Sequence, residues 1–252
     1  MDLGITAKRA LVIGGSSGLG FAAAKALAAE GVHLALFARS PGPLATAKEG
    51  LVQYPGVEIE TLAGDITHRA DVVELAGRLR ESGGVDILIL NTPRPPSPMR
   101  EFLDEDDDER WSSAYRNQLQ GALNVLREIT PLIIGKGWGR IVGITSASVK
   151  QPMPRHAIST IFRSGVQAAL KHLSLEIAEH GVTVNSIAPA TIMTPTFAQF
   201  HNLEDRVAAT PLKRFGTLEE FGGTVAFLAS QQSGFLTGQV IQLDGGRTAA
   251  LV

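Results

Sequence analysis

Gly14-Gly15-Ser16-Ser17-Gly18-Leu19-Gly20 is the stretch of this 252-residue sequence whose residue types and spacing point most directly to chemistry. Gly14 suits a tight turn that is closed to residues carrying a Cβ. Gly18 lets the backbone approach a pyrophosphate, and Gly20 lets a helix pack closely against the strand before it. Ser16 and Ser17 add hydroxyl donors, and the first N–H groups of a following helix have no partners inside it. Such a turn can hold the phosphates of a dinucleotide. Its plainer alternative is a glycine-rich turn that serves topology alone.

The pattern carries that meaning only between a strand and a helix. Residues 9–13 read as a buried strand, and residues 18–30 as an alanine-rich helix. Further strands are expected at 33–37, 57–62, 86–90, 140–145, 182–187 and 240–243. Helices are expected at 44–53, 69–80, 105–134, 159–179 and 218–230. Short apolar strands separated by helices imply a parallel sheet of about seven strands with both faces covered. The expected fold is α/β, a single doubly wound (Rossmann) domain spanning residues 1–252, with ligands gathered at the carboxyl ends of the strands. No linker, repeat or composition break divides it. Pro93, Pro95, Pro96 and Pro98 stiffen a loop on that edge, as a pocket wall or as a rigid connector. The acidic run at 104–109 reads as a solvated helix start, where carboxylates favour the positive end of the dipole.

Composition removes several function classes. The formal net charge is −2, from 23 basic and 25 acidic residues, with no clustered basic face to suggest DNA or RNA. The absence of cysteine excludes disulfides, Cys-ligated zinc and thiol catalysis together. No metal site is expected. No apolar run approaches the roughly 20 residues of a membrane span. Met1-Asp2-Leu3-Gly4-Ile5 lacks the layout of a signal peptide, so a soluble cytoplasmic protein is the expectation.

With three residues between Gly14 and Gly18, the turn resembles the Thr-Gly-x-x-x-Gly-x-Gly motif of the short-chain dehydrogenase/reductase family, with Ile13 in place of the threonine. The resemblance runs through nearly the whole chain. Gly64-Asp65-Ile66 is similar to the family's adenine-contacting segment. The stretch 86–91 is similar to strand four and its Asn-Asn-Ala-Gly ending, of which only Asn91 is kept. Asn185-Ser186-Ile187-Ala188-Pro189, with Ile192 and Thr194, resembles the segment that touches the nicotinamide end. Thr237-Gly238 and Asp244-Gly245-Gly246 resemble the last strand and its exit. The most similar branch is that of 3-oxoacyl-(acyl carrier protein) reductase-like proteins.

Sites for NAD place an acidic residue at the end of strand two, where it accepts from the ribose 2′-hydroxyl. Here Ala38 is followed by Arg39. A carboxylate repels a 2′-phosphate, whereas a guanidinium can clamp one with paired, charge-assisted bonds. NADP(H) is therefore favoured over NAD(H), the alternative for Arg39 being an ordinary surface arginine. Asp65 either accepts from the adenine amino group or caps the helix that follows.

The resemblance implies hydride transfer between nicotinamide and a carbonyl or alcohol, with a proton supplied at the oxygen. It assigns the family's serine to Ser146 and the asparagine to Gln118, beside Asn117. The tyrosine position falls on Ser159 and the lysine position on Arg163. The two tyrosines of the chain, Tyr54 and Tyr115, lie in other elements. An aliphatic hydroxyl is a far weaker acid than a phenol and a poor general acid near neutral pH. Arginine keeps the cation and can bond the nicotinamide ribose, but it does not readily release a proton. Ser159 and Arg163, four apart on a helix, share a face. His156, in the loop with Lys150 and Arg155, titrates in a useful range and is a substitute donor or a plain surface histidine. Ser146 and Ser159 can bind a carbonyl oxygen together, or serve as strand-end and helix-cap serines.

The leading expectation is an NADP(H)-dependent oxidoreductase with a non-standard proton donor. A non-redox lyase, dehydratase or cyclase on the same scaffold stays open, as does a nucleotide-binding pseudoenzyme. The partner expected is a small molecule, with Phe197 and Phe200 in the covering segment 195–211 suggesting an apolar portion or else core residues. The family resemblance implies a homotetramer or homodimer, and the apolar end Ala249-Ala250-Leu251-Val252 is consistent with burial against a neighbour. No nucleic-acid or membrane partner is expected.

Overall fold

A computed structural model describes residues 2–200 and 202–251. The seven strands are β1 (Arg9–Ile13), β2 (His33–Ala38), β3 (Ile59–Ala63), β4 (Ile87–Asn91), β5 (Gly139–Ile144), β6 (Val182–Pro189) and β7 (Val240–Leu243). They form one parallel sheet in the order β3-β2-β1-β4-β5-β6-β7. The chain leaves β1 towards β2 and later returns to pair β4 against the other side of β1, with Leu11 opposite Leu88. Strand order therefore reverses beside β1, and a crevice opens there at the carboxyl ends.

Side chains alternate across the pleat. Leu11, Ile13, Phe37, Leu88 and Leu90 face a core with α3 (Arg69–Glu81), α5 (Gly121–Ile133) and α6 (Ala157–Glu176). Ala10, Val12, Leu36, Ile87 and Ile89 face the opposite core with α1 (Gly18–Ala29), α2 (Pro41–Leu51) and α8 (Leu218–Leu228). Both faces are thus sealed, and the open edges of the strands are left for ligands. Among the described residues no helix is long and apolar enough to cross a membrane.

Four expectations need correction. The single helix expected over 105–134 is three segments: α4 (Asp108–Ala114), a π-helical stretch over Tyr115–Gln120, and α5. A π turn accommodates an extra residue and changes which side chains point inward. The acidic run is not solvated throughout. Asp107 caps α4 by accepting from the Glu109 N–H, but Glu105 is buried and pairs with Arg110 at 2.7 Å and 2.9 Å. Arg110 also donates to the Pro98 carbonyl at 2.6 Å, so this pair fastens the proline loop to α4. The α6 helix starts at Ala157, earlier than expected, with His156 at the cap position. Finally, α7 (Leu203–Ala208) was not expected, because six residues capped by Asn202 show too little apolar period to read as a helix.

Candidate active site at the carboxyl edge of the sheet

The glycine turn has the geometry its spacing suggests. Gly14 has φ +68° and Gly18 φ +55°, the left-handed region. A Cβ on Gly20 would lie 2.1 Å from the Gly14 carbonyl oxygen, so α1 can start this close to β1 only without a side chain there. A Cβ on Gly18 would meet nothing within 4 Å, which leaves its outer side open to a ligand. Ser17 stands at the cap position of α1 with an extended backbone, and its side chain makes no capping bond. The N–H groups at the head of α1 are thus available to phosphate oxygens. The residues present fit a dinucleotide.

The Gly14 N–H donates to the Phe37 carbonyl at 2.8 Å, tying the turn to the end of β2. Arg39 leaves β2 immediately beyond, exposed. Asp65 accepts from the Thr67 N–H at 2.9 Å, a turn leading into α3 rather than a cap on its first residues. Ile66 is buried, and its carbonyl accepts from Asn124 at 2.9 Å. Asn91 ends β4 with its amide against Gly14.

Beyond the turn lies a cleft of about 650 Å³. Leu19, Pro189, Ile192 and Thr194 line it together with Ser146, Ser159, Arg163 and His156. Asp65, Ile66, Asn91 and Gln118 do not. Ser146 follows β5, accepts from the Ser148 N–H at 3.2 Å, and is 3.0 Å from the Ser148 hydroxyl. Ser159 lies inside the first turn of α6, so it is not the helix cap, and it is 5% exposed. Arg163 sits one turn on, 8% exposed. Its Nη1 donates to the carbonyls of Ile144 and Thr145, each at 3.1 Å, and its Nη2 approaches the Pro93 carbonyl at 3.5 Å. Two of its donors are therefore spent on holding α6 against the end of β5. Burial pushes its pKa down to about 10, with the charge of Arg94 adding to the effect, so it remains a cation near neutral pH.

Gln118 is fully buried in the π-helical stretch, and neither end of its amide has a partner among the described residues. Asn117 instead bonds back to Ser113 on its own helix, so Gln118 is the inward residue of the pair. The His156 ring places Nδ1 2.7 Å from the Pro154 carbonyl. A carbonyl only accepts, so Nδ1 carries a proton. Burial lowers the pKa of His156, and the charges of Arg206, Arg247 and Arg155 lower it further, against the Pro154 carbonyl. The ring is consequently neutral near pH 7, with Nε2 as an acceptor.

Sequence reading missed three guanidinium groups. Arg94 stacks over Phe200 at 4.6 Å and lies 3.5 Å from the Thr194 hydroxyl. It stands between Pro93 and Pro95 in the loop that the prolines mark, which was the one signal available. Arg206 on α7 and Arg247 after β7 gave none. Phe197 is buried against Phe215, whereas Phe200 is half exposed at the cleft.

A glycine turn at the head of α1 and a cleft beyond it on the same edge is the layout of dinucleotide-dependent α/β enzymes. A family model described as enoyl-(acyl carrier protein) reductase matches residues 13–248, and the chain belongs to that family, within the short-chain dehydrogenases/reductases. Gluconate 5-dehydrogenase of Gluconobacter oxydans is 31% identical, over 98% of this chain and 97% of its own length. A 3-oxoacyl-(acyl carrier protein) reductase of Staphylococcus epidermidis is also 31% identical, over 95% and 98%. The L-sorbose reductase of Gluconobacter frateurii, solved with NADPH and L-sorbose, superposes with a TM-score of 0.91 at 28% identity, covering 100% of both chains.

Proposed function

We propose that this chain is an NADP(H)-dependent oxidoreductase for a carbonyl/alcohol pair that exchanges its proton without a tyrosine phenol. The observation that carries the proposal is the convergence of Leu19, Ser146, Ser159, Arg163 and Thr194 on one cleft. That cleft opens beyond a glycine turn whose Gly20 admits no side chain. The nucleotide, when bound, supplies or accepts the hydride. Gly14, Ser16, Ser17, Gly18 and the head of α1 hold its diphosphate, and Arg39 takes the 2′-phosphate. Asp65 and Ile66 lie towards the adenine, and Pro189, Ile192 and Thr194 towards the nicotinamide. The NADPH in the L-sorbose reductase complex supports this choice of nucleotide.

Ser146 and Ser159 orient the substrate oxygen. Arg163 keeps a positive charge beneath it, which favours negative charge developing there. Its two bonds to strand carbonyls make it a fixed post rather than a proton carrier. Neutral His156 can accept the proton of an alcohol at Nε2, so its form near pH 7 suits oxidation better than reduction. In the reduction direction, turnover should rise as pH falls towards the lowered pKa of His156. A pH profile of kcat in both directions, repeated with His156→Gln, tests this. Mirror-image profiles that vanish in the variant are expected, and unchanged profiles would remove His156 from the proposal.

The lost phenol also favours a second reading, in which the pocket polarises a carbonyl with no hydride transferred. Product formed without added nucleotide would support it, and strict nucleotide dependence would end it. We also propose a homotetramer or homodimer. Phe235 and Leu103 are fully or almost fully exposed, apolar surface that a second copy can cover. Native mass measurement checks the assembly.

A further inference from the structure

The cleft wall gathers more positive charge than the reaction requires. Arg94, Arg155, Arg163 and Arg206 all line it, against one lining carboxylate, Asp205. Arg94 and Arg163 have evident tasks, on Phe200 and on the end of β5. Arg155 and Arg206 line it beside His156, and Arg247, which is not part of the lining, lies near enough for its charge to lower the pKa of both His156 and Arg206. These three arginines come from the loop before α6, from α7 and from the exit of β7.

Neither Arg155 nor Arg247 forms an ion pair among the described residues. Arg247 carries a buried Nη1 with no hydrogen-bond partner among the described residues, a costly arrangement for a guanidinium. Arg155 holds φ +60°, in the left-handed region, with its N–H on the Glu101 carboxylate at 3.1 Å. Its side chain lines the cleft. Burial, and after it the charges of Arg247 and Arg155, push the pKa of Arg206 down to about 10. The phosphates of a dinucleotide do not explain the crowding, because the glycine turn and Arg39 lie on the β1–β2 side of the sheet.

We infer that Arg155, Arg206 and Arg247 form an oxyanion site at the outer end of the cleft, and that the substrate is an oxo or hydroxy compound carrying a carboxylate or phosphate. Guanidinium forks match both groups in geometry and charge. The anion would pin the far end of the substrate while its carbonyl lies at Ser146 and Ser159. This rests on the oxidoreductase reading for the carbonyl end, but binding can be measured without turnover.

The test is calorimetry on the NADP⁺-loaded protein with two matched pairs, levulinate against levulinamide and dihydroxyacetone phosphate against dihydroxyacetone. In at least one pair the anion should bind about tenfold or more tighter than its neutral match, and that pair identifies the group. Arg155→Gln, at an exposed loop position, and Arg247→Met should each reduce the preference, and together they should erase it. Equal binding within both pairs, no saturable binding of either anion, or a preference that survives the double variant would overturn the inference. An intact preference with no hydride transfer to any ketone would instead end the oxidoreductase reading and leave the anion site standing.

Discussion

The turn after β1 and the head of α6 meet on the same edge of the sheet, yet their residues answer to different demands. At the turn the demand is on the main chain. The Gly14 carbonyl lies where a Cβ on Gly20 would be, so that residue cannot change without moving α1. At the head of α6 the demand is on side chains. Serine at 159 fits the helix, and arginine at 163 finds three backbone carbonyls to bond or approach. Backbone geometry fixes the turn, whereas side-chain contacts fix the head of α6, so the two place separate demands on the sequence. The two halves of such a site can therefore be tested apart.

The largest effect is expected from Gly20→Val. It forces a contact far inside van der Waals range and should weaken NADPH binding by more than about a hundredfold, in line with the roughly 3 kcal/mol of severe overpacking. A fluorescence titration checks it, and Gly18→Ala is the companion. That position has room for a methyl group but holds φ +55°, so alanine should cost about 1–2 kcal/mol of backbone strain, which the fold should survive while pyrophosphate approach is impaired. If Gly20→Val binds NADPH normally, the turn is topological only.

At the other region, Ser159→Tyr combined with Arg163→Lys should raise reduction of a suitable ketone by about a hundredfold, the low end of general-acid catalysis. Steady-state kinetics at saturating NADPH read this out. No gain in a folded double variant would mean that the phenol is not what the natural site lacks. The smallest effect concerns the support of the proline loop. Arg110 holds the Glu105 carboxyl below its usual range. Its stabilisation is therefore complete above the unfolded pKa of about 4.3 and fades as pH falls through the lower folded value. Glu105→Gln should cost about 2 kcal/mol at neutral pH and flatten the acid limb of the Tm profile.

These regions also differed in how well the sequence disclosed them. Strands in a doubly wound sheet are short apolar runs, and β1 and β7 matched their expected bounds while the others shifted by no more than two residues at either end. The glycine turn was legible because each glycine meets a local backbone requirement. Ser146, Ser159 and Arg163 were located through family spacing, but the bonds of Arg163 to Ile144 and Thr145 depend on how α6 lies on β5, which spacing does not encode. Periodicity also passed over the π-helical stretch, since one extra residue in a turn leaves the apolar pattern on either side intact. Arg206 and Arg247 were illegible for a different reason. They meet Arg155 only in three dimensions, from segments far apart in the chain, and one of them stands on a helix too short to show a period.

The claim on which the account rests is that the turn at Gly14 to Gly20, with Arg39, still holds a phosphorylated dinucleotide although no phenol stands beside it. Parallel titrations of NADPH and NADH, followed by quenching of protein fluorescence and repeated with Arg39→Asp, test it most directly. Saturable binding with NADPH favoured by about tenfold or more, reversed or erased in the variant, is predicted. No saturable binding of either nucleotide, or an NADPH preference that Arg39→Asp leaves unchanged, would contradict it.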